Sequence, residues 1–429
     1  MIRRLVVLML LVGGAVLLEP LRAPTEGVIA PRSLFLFGIL LLTADTFGAL
    51  AHDLKVPRLL GYLVAGLALG PSVAGIVPAG VLEDLGMMKR LAIGLIAVLA
   101  GAELRVGDLR QRGRLIVVIL VLQTVFVLTA VIAATLLSSR WIPFLDGLAS
   151  SPAFFVTLLF AVMLTVNSPM VTLALLTETG ARGPLAKTTL GVVLVADVVV
   201  ILLFTGSFSL AQASLGGTAA GAPQIMAQLL WEVLKAVLAG IVVGGIMSLY
   251  LHFVKRELVV FVVVVVFATA GAADALHFEL LLSLVIAGFL VENVAPVRAE
   301  PLVHTLHQAA VPVFVVFFAM TGAELRVQEF VGFWPVVLGL VLVRMAALYA
   351  SGRVGRRWAG DDIATRYVWT GLVPQAGVAL GLATIVADRL PGIGLTMQTL
   401  TVGVIAINQA AGPVLFRRGL ERAGEVVVR

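Results

Sequence analysis

The chain has 429 residues, of which 60% are hydrophobic and 13% charged, with a net charge of +6 and no cysteine. An ordinary soluble domain carries about 25% charged residues, so this composition excludes a water-soluble enzyme or binding module. Disulfides are excluded too, and the basic residues sit at the ends of apolar runs rather than in a nucleic-acid-binding patch.

Fourteen apolar segments follow in chain order, at about 4–19, 33–51, 57–77, 85–103, 115–138, 153–176, 185–209, 226–253, 258–273, 276–294, 305–323, 330–351, 367–388 and 395–416. A span takes roughly 17–25 mainly apolar residues, because the hydrocarbon core is about 30 Å thick. No water is available there, so each segment is predicted as a helix that satisfies its own backbone. This includes Val259–Val266, whose β-branched run would read as a strand elsewhere. The fold class expected is an all-α polytopic membrane protein with about 13–14 transmembrane helices.

The first segment is short. Arg3-Arg4 before Leu5–Leu18 has the form of a signal peptide, but no small-x-small cleavage site follows. Residues 1–32 are therefore expected to form a retained peripheral helix or signal-like segment with a loop, 33–416 a single transmembrane domain, and 417–429 a short basic tail. Numbering the spans from Met1 places 21 of the 30 basic residues on the Met1 side and 7 on the other, with Lys235 and Arg344 inside spans. By the positive-inside rule both termini are predicted to be cytoplasmic.

An internal repeat runs through the domain. Gly101-Ala102-Glu103-Leu104-Arg105-Val106 recurs at Gly322-Ala323-Glu324-Leu325-Arg326-Val327, an offset of 221. Leu59–Gly66 (LLGYLVAG) matches Leu281–Gly288 (LLSLVIAG) at an offset of 222. Corresponding spans are seven apart. Seven is odd, so the copies, about 33–209 and 258–416, are predicted to cross in opposite directions, the inverted-repeat plan of secondary transporters.

Each repeat carries an interruption two spans after its shared hexapeptide. The first is Thr165-Val166-Asn167-Ser168-Pro169, the second Gly371-Leu372-Val373-Pro374-Gln375-Ala376-Gly377. Proline removes a backbone donor and clashes with the preceding turn. A pair of kinks is one outcome; the matching positions favour two crossed, discontinuous helices with breaks at Pro169, Pro374, Gln375 and Gly377. Asp197 and Arg344 each stand in the middle of a span next to an interruption. A charge there costs roughly 2.5–3.5 kcal/mol on insertion scales, which marks such residues as functional. Guanidinium stays protonated at working pH, so Arg344 is expected to be charge-compensating or structural. Asp45 in the second span is expected to line a cavity or to hold a polar contact between helices.

These residues resemble the monovalent cation:proton antiporter superfamily, of the sodium/proton exchanger and potassium-efflux type, over about residues 33–416. Pro57-Arg58, Gly61-Tyr62, Ala65-Gly66 and Gly70-Pro71 look like its early signature, and Leu99–Leu104 like its Gly-Leu-Glu element. Asn167-Ser168-Pro169 stands in place of its Thr-Asp-Pro motif, and Asp197 aligns with its ion-binding aspartate. Phe317-Phe318 with Gly322 and Leu325 is similar to a further family motif, and Arg344 takes a position that holds Lys or Arg. Ala196 stands where relatives often have an acidic or amide residue, Ser168 where many have Asp, and Gln375 and Gly377 where many have Arg and Glu.

The resemblance implies exchange of Na⁺ or K⁺ for H⁺ by competition at Asp197, with oxygens of Asn167, Thr165 and Ser168 assisting. With Ala196 beside it, one proton per cation is expected, hence electroneutral exchange. It further implies a homodimer in a bacterial inner membrane, no cofactor, and any nucleotide-binding regulation placed on a separate subunit. The competing expectation is a sodium-coupled organic-anion symporter of related crossed-helix plan.

Overall fold

The computed structural model describes residues 31–216, 222–254, 257–294, 300–325, 327–360, 363–375, 377–390 and 392–426. The predicted segment 4–19 lies outside them. In chain order the helices are α1 (Pro31–Asp53), α2 (Arg58–Leu69), α3 (Ala79–Asp84), α4 (Gly86–Ala102), α5 (Val106–Leu137), α6 (Ser150–Thr165), α7 (Pro169–Thr179) and α8 (Pro184–Ser214). They continue as α9 (Ala222–Phe253), α10 (Leu258–Leu276), α11 (Leu280–Asn293), α12 (Glu300–Ala323), α13 (Val327–Phe330), α14 (Trp334–Ala359), α15 (Ile363–Gly371), α16 (Gly377–Arg389) and α17 (Gly394–Arg422). No strand occurs among the described residues.

Each predicted segment after the first coincides with a helix, except that 153–176 and 367–388 are each two helices, α6 with α7 and α15 with α16. By length and composition, eight helical stretches among the described residues suffice to cross a membrane, and shorter apolar helices such as α2 and α11 stand between them. The β-branched run 259–266 is helical, within α10. Some ends differ from expectation: α2 stops at Leu69, short of 77, and α14 runs to Ala359, past 351. The tail predicted from residue 417 begins as helix, because α17 continues to Arg422. Arg417 donates to Glu421 one turn on at 3.0 Å, and a cation in the last turn suits the negative end of the helix.

The transmembrane domain comprises two compact units. The first takes residues up to Arg105 with Lys235–Arg326, the second Val106–Leu234 with Val327–Arg429. Each therefore draws three predicted spans from each sequence repeat.

Within the first unit, α2 packs on α12 and α4 on α11. The repeated motifs explain how. A Cβ on Gly66 would lie 2.0 Å from the Ala319 carbonyl oxygen, and one on Gly288 would lie 2.2 Å from that of Val98. A Cβ on Gly101 would lie 2.0 Å from the Val285 oxygen, and one on Gly322 would lie 2.1 Å from that of Leu63. Adding 221 or 222 to the first-repeat residue of one contact, and subtracting it from the second-repeat residue, gives the other contact, so the repeat is reciprocal in space. Hydrogen bonds obey the same relation. Ser72 donates to the Leu325 carbonyl, and Asn293, at the matching position, donates to the Leu104 carbonyl at 2.6 Å. Ion pairs Lys89–Glu324 and Arg105–Glu292 close the same unit. Small residues at such crossings are what membrane helices need to approach closely. Gly101→Val is expected to cost about 1–3 kcal/mol by overpacking against backbone that has no rotamer to yield. Thermal unfolding of the detergent-purified protein checks this, and an unchanged midpoint would contradict the reciprocal packing.

Candidate ion-binding site

The second unit holds both interruptions. The first opens between α6, which ends at Thr165, and α7, which starts at Pro169. Proline suits that first helical position, where its missing N–H has no partner to lose. Ser168 is the N-cap, its hydroxyl accepting from the Val171 amide at 3.2 Å. The second opens between α15, which ends at Gly371, and α16, which starts at Gly377. Gly412 on α17 lets this break come close: a Cβ there would fall 2.7–2.8 Å from Pro374.

A helix that stops in mid-membrane leaves its last carbonyls without intrahelical donors. One buried side chain answers for both breaks. Arg344 on α14 is fully buried. Its Nε donates to the Leu164 carbonyl at 2.7 Å, and its Nη2 to those of Val166 at 3.1 Å and Leu372 at 3.0 Å. Its Nη1 donates to Val373 at 2.8 Å, and Nη2 also meets the Asn167 amide oxygen at 3.3 Å. The guanidinium fork thus gathers the C-terminal ends of α6 and α15, and its positive charge stands where both dipoles are negative. Gln375 ties the breaks directly, its Nε2 donating to the carbonyls of Leu164 at 3.1 Å and Val166 at 3.0 Å.

Two amides complete the network. Asn167 Nδ2 donates to Gln123 Oε1 of α5 at 3.1 Å. Asn408 Nδ2 of α17 donates to Gln375 Oε1 at 2.8 Å. Sequence reasoning missed both Gln123 and Asn408, since a neutral amide in an apolar span raises no alarm. A signal did exist for Gln123: it precedes Arg344 by 221 residues, the offset of the repeated hexapeptide.

Asp197 is buried on α8, which packs against α6, α7 and α15, helices of both interruptions. Among the described residues, Asp197 and Arg344 are the only charged ones that are buried. The Thr165 hydroxyl donates back to Ala161 O at 2.9 Å within its own helix. It and the Ser168 oxygen keep lone pairs for a further partner. Asp45 does not join this group: it is exposed, on α1 of the first unit. Sequence context alone had made it look buried.

Residues 38–417 match the transmembrane sodium/hydrogen exchanger family. The chain belongs to the sodium/hydrogen exchanger family. As a member it is an integral membrane protein of a transporter family rather than an enzyme. It is 24% identical over 375 residues to the probable Na⁺/H⁺ antiporter GerT of Bacillus cereus, a stretch covering 86% of this chain and 93% of that one. Its fold is that of the sodium proton antiporter MjNhaP1 from Methanocaldococcus jannaschii. The TM-score is 0.62 at 16% identity against the structure at pH 8, covering 91% of this chain and 96% of that one. Against an electron-microscopy structure of the same antiporter the TM-score is 0.68, covering 92% and 99%. Within this exchanger the polar centre is nearly uncharged: amides stand at Asn167 and Gln375, and Ala196 precedes the aspartate.

Proposed function

We propose that this exchanger moves Na⁺ or K⁺ against a proton, with both competing for Asp197. One observation carries the reading: the two buried charges among the described residues, Asp197 and Arg344, lie in the one unit that contains both interrupted helices. Arg344 is spoken for by carbonyl and amide oxygens, and a guanidinium holds its proton throughout the working range. That leaves Asp197 as the group whose charge changes. Ionised, it binds the cation with help from Asn167, Thr165 and Ser168 oxygens. Protonated, it releases it. GerT and MjNhaP1 are named as antiporters of sodium and protons, which favours Na⁺ over K⁺ as the cation.

The reciprocal packing of the repeats supports an inverted topology, in which two oppositely oriented copies supply two access states. In this proposal the second unit is the moving body and the first forms a homodimer, with both termini cytoplasmic. Organic-anion symport has no support from the family match.

With Ala196 in place of a second acid, one proton leaves for each cation that enters, so exchange is electroneutral. The test is a proteoliposome assay with a trapped pH dye, offering Na⁺, Li⁺, K⁺ and Rb⁺ in turn at a clamped membrane potential. The expected initial rate is the same at zero potential and at about 100 mV, where one uncompensated charge would gain roughly 2.3 kcal/mol. A rate that rises steeply with potential rules out the one-for-one stoichiometry. Uptake of a labelled organic anion driven by Na⁺, without dye response, overturns the antiport reading itself.

A further inference from the structure

The two interruptions each carry one buried amide, and the two amides are held differently. Gln375 is fixed by three bonds: its Nε2 donates to the carbonyls of Leu164 and Val166, and its Oε1 accepts from Asn408. Asn167 is gripped once at each end. Its Oδ1 accepts from Arg344 Nη2 at 3.3 Å, and its Nδ2 donates to Gln123 Oε1 at 3.1 Å. The two gripping residues stand 221 apart, the offset of the repeated hexapeptide, so equivalent places on α5 and α14 supply them. α5 packs against α14, α6 and α8, which carry Arg344, lead into the first interruption and carry Asp197.

The bonds through Asn167 run in one direction. A guanidinium only donates, so Asn167 turns its oxygen to Arg344 and its NH₂ away. That NH₂ needs an acceptor in the dry interior, and Gln123 Oε1 is the one it meets. Gln123 is itself fully buried, and its Nε2 meets no acceptor among the described residues. A buried donor left unmade is costly, so stability alone favours an apolar side chain at this place. Glue between membrane helices is the simpler explanation for a buried glutamine. Glue would use both ends of the amide, whereas Gln123 uses only its acceptor.

We propose that Gln123 is a positioning residue for cation binding, holding Asn167 Nδ2 so that the Asn167 oxygen is the end offered to the cation. The inference rests on the reading above in which Asn167 is a cation ligand. An amide oxygen has two lone pairs, and the Arg344 contact occupies one. An Asn167 amide turned end for end would meet the cation with hydrogens. Arg344 alone restrains that turn weakly, since its contact is the longer of the two.

The test is the half-saturating Na⁺ concentration for exchange in proteoliposomes, with the unfolding midpoint in detergent measured beside it. Gln123→Met removes the acceptor and keeps the length of the side chain. It strands Asn167 Nδ2 but also removes the unpartnered Nε2, so the midpoint is expected to stay at the parent value. The half-saturating concentration is expected to rise about tenfold, with the maximal rate kept within about twofold. Asn167→Ala alone is expected to give a rise of the same size. The double variant should rise no further, because without the amide Gln123 has nothing to hold. A parent-like value in Gln123→Met, beside a raised one in Asn167→Ala, overturns the positioning role and leaves the ligand reading intact. Parent-like values in both remove Asn167 as a ligand, and the inference goes with it. A lowered midpoint with unchanged half-saturation marks Gln123 as structural, and rises that multiply in the double variant place its effect elsewhere. Either result overturns the proposal. Should the methionine chain not fold, Gln123→Asn draws the acceptor back by one methylene. The same rise is then expected, and a parent-like value contradicts the assignment.

Discussion

Asp197→Asn is expected to lower cation-coupled proton movement by roughly 100-fold or more, since a charge-assisted contact to the cation is worth about 1.5–3 kcal/mol and the exchangeable proton goes with it. Stability should move the other way or not at all. A carboxylate buried on α8 carries a desolvation cost that an amide of the same shape avoids. The unfolding midpoint of the variant should therefore equal or exceed that of the parent chain. The split between lost exchange and kept stability distinguishes a transport group from a structural one. An Asp197→Asn protein that exchanges at a rate within about threefold of the parent leaves the mechanism without its central residue.

Arg344→Ala should do the reverse and damage the fold first. The substitution strands four backbone carbonyls, those of Leu164, Val166, Leu372 and Val373, at two helix ends buried in the second unit. Each stranded group costs about 1–3 kcal/mol when water cannot reach it. Some of that is recovered by Gln375, which already donates to two of the four. A loss of roughly 3–5 kcal/mol is expected, comparable with removing one partner of a buried charged pair. Arg344→Lys keeps the positive charge at the two helix ends but has three donors on one atom in place of a planar fork. It should recover about half of the loss. Tryptophan-fluorescence melts of the three proteins in detergent give the order. An Arg344→Ala protein as stable as the parent, impaired only in exchange, would show that the guanidinium serves the ion site and not the breaks.

Much of this was legible before any coordinates. The spans stood out because lipid leaves a helix no alternative, which is why even the β-branched run 259–266 is helical. Pro169 and Pro374 located the breaks because a missing N–H is written in the residue type. The partners of Arg344 were not legible. They are mostly backbone carbonyls, which every residue has, so no side-chain pattern announces them. The same limit applies to Thr165 and Ser168. Their hydroxyls were visible as candidate cation ligands, but not their local bonds, one donating to Ala161 O and the other capping α7. Conversely, Gly66, Gly101, Gly288 and Gly322 were visible only as parts of a repeat. Their packing on backbone oxygens explains why those positions have no side chain. Asp45 misled because an apolar neighbourhood in sequence marks depth in the membrane, not burial against other helices.

The central claim is that one carboxylate holds either a proton or a cation. It is tested most directly by the half-saturating Na⁺ concentration for exchange in proteoliposomes, measured as pH is lowered on both sides. Competition at Asp197 predicts that this concentration rises toward about tenfold per pH unit on the acid side, while the maximal rate at saturating Na⁺ is restored. A half-saturating concentration that stays constant while the maximal rate falls would place the proton at a different group and contradict the account.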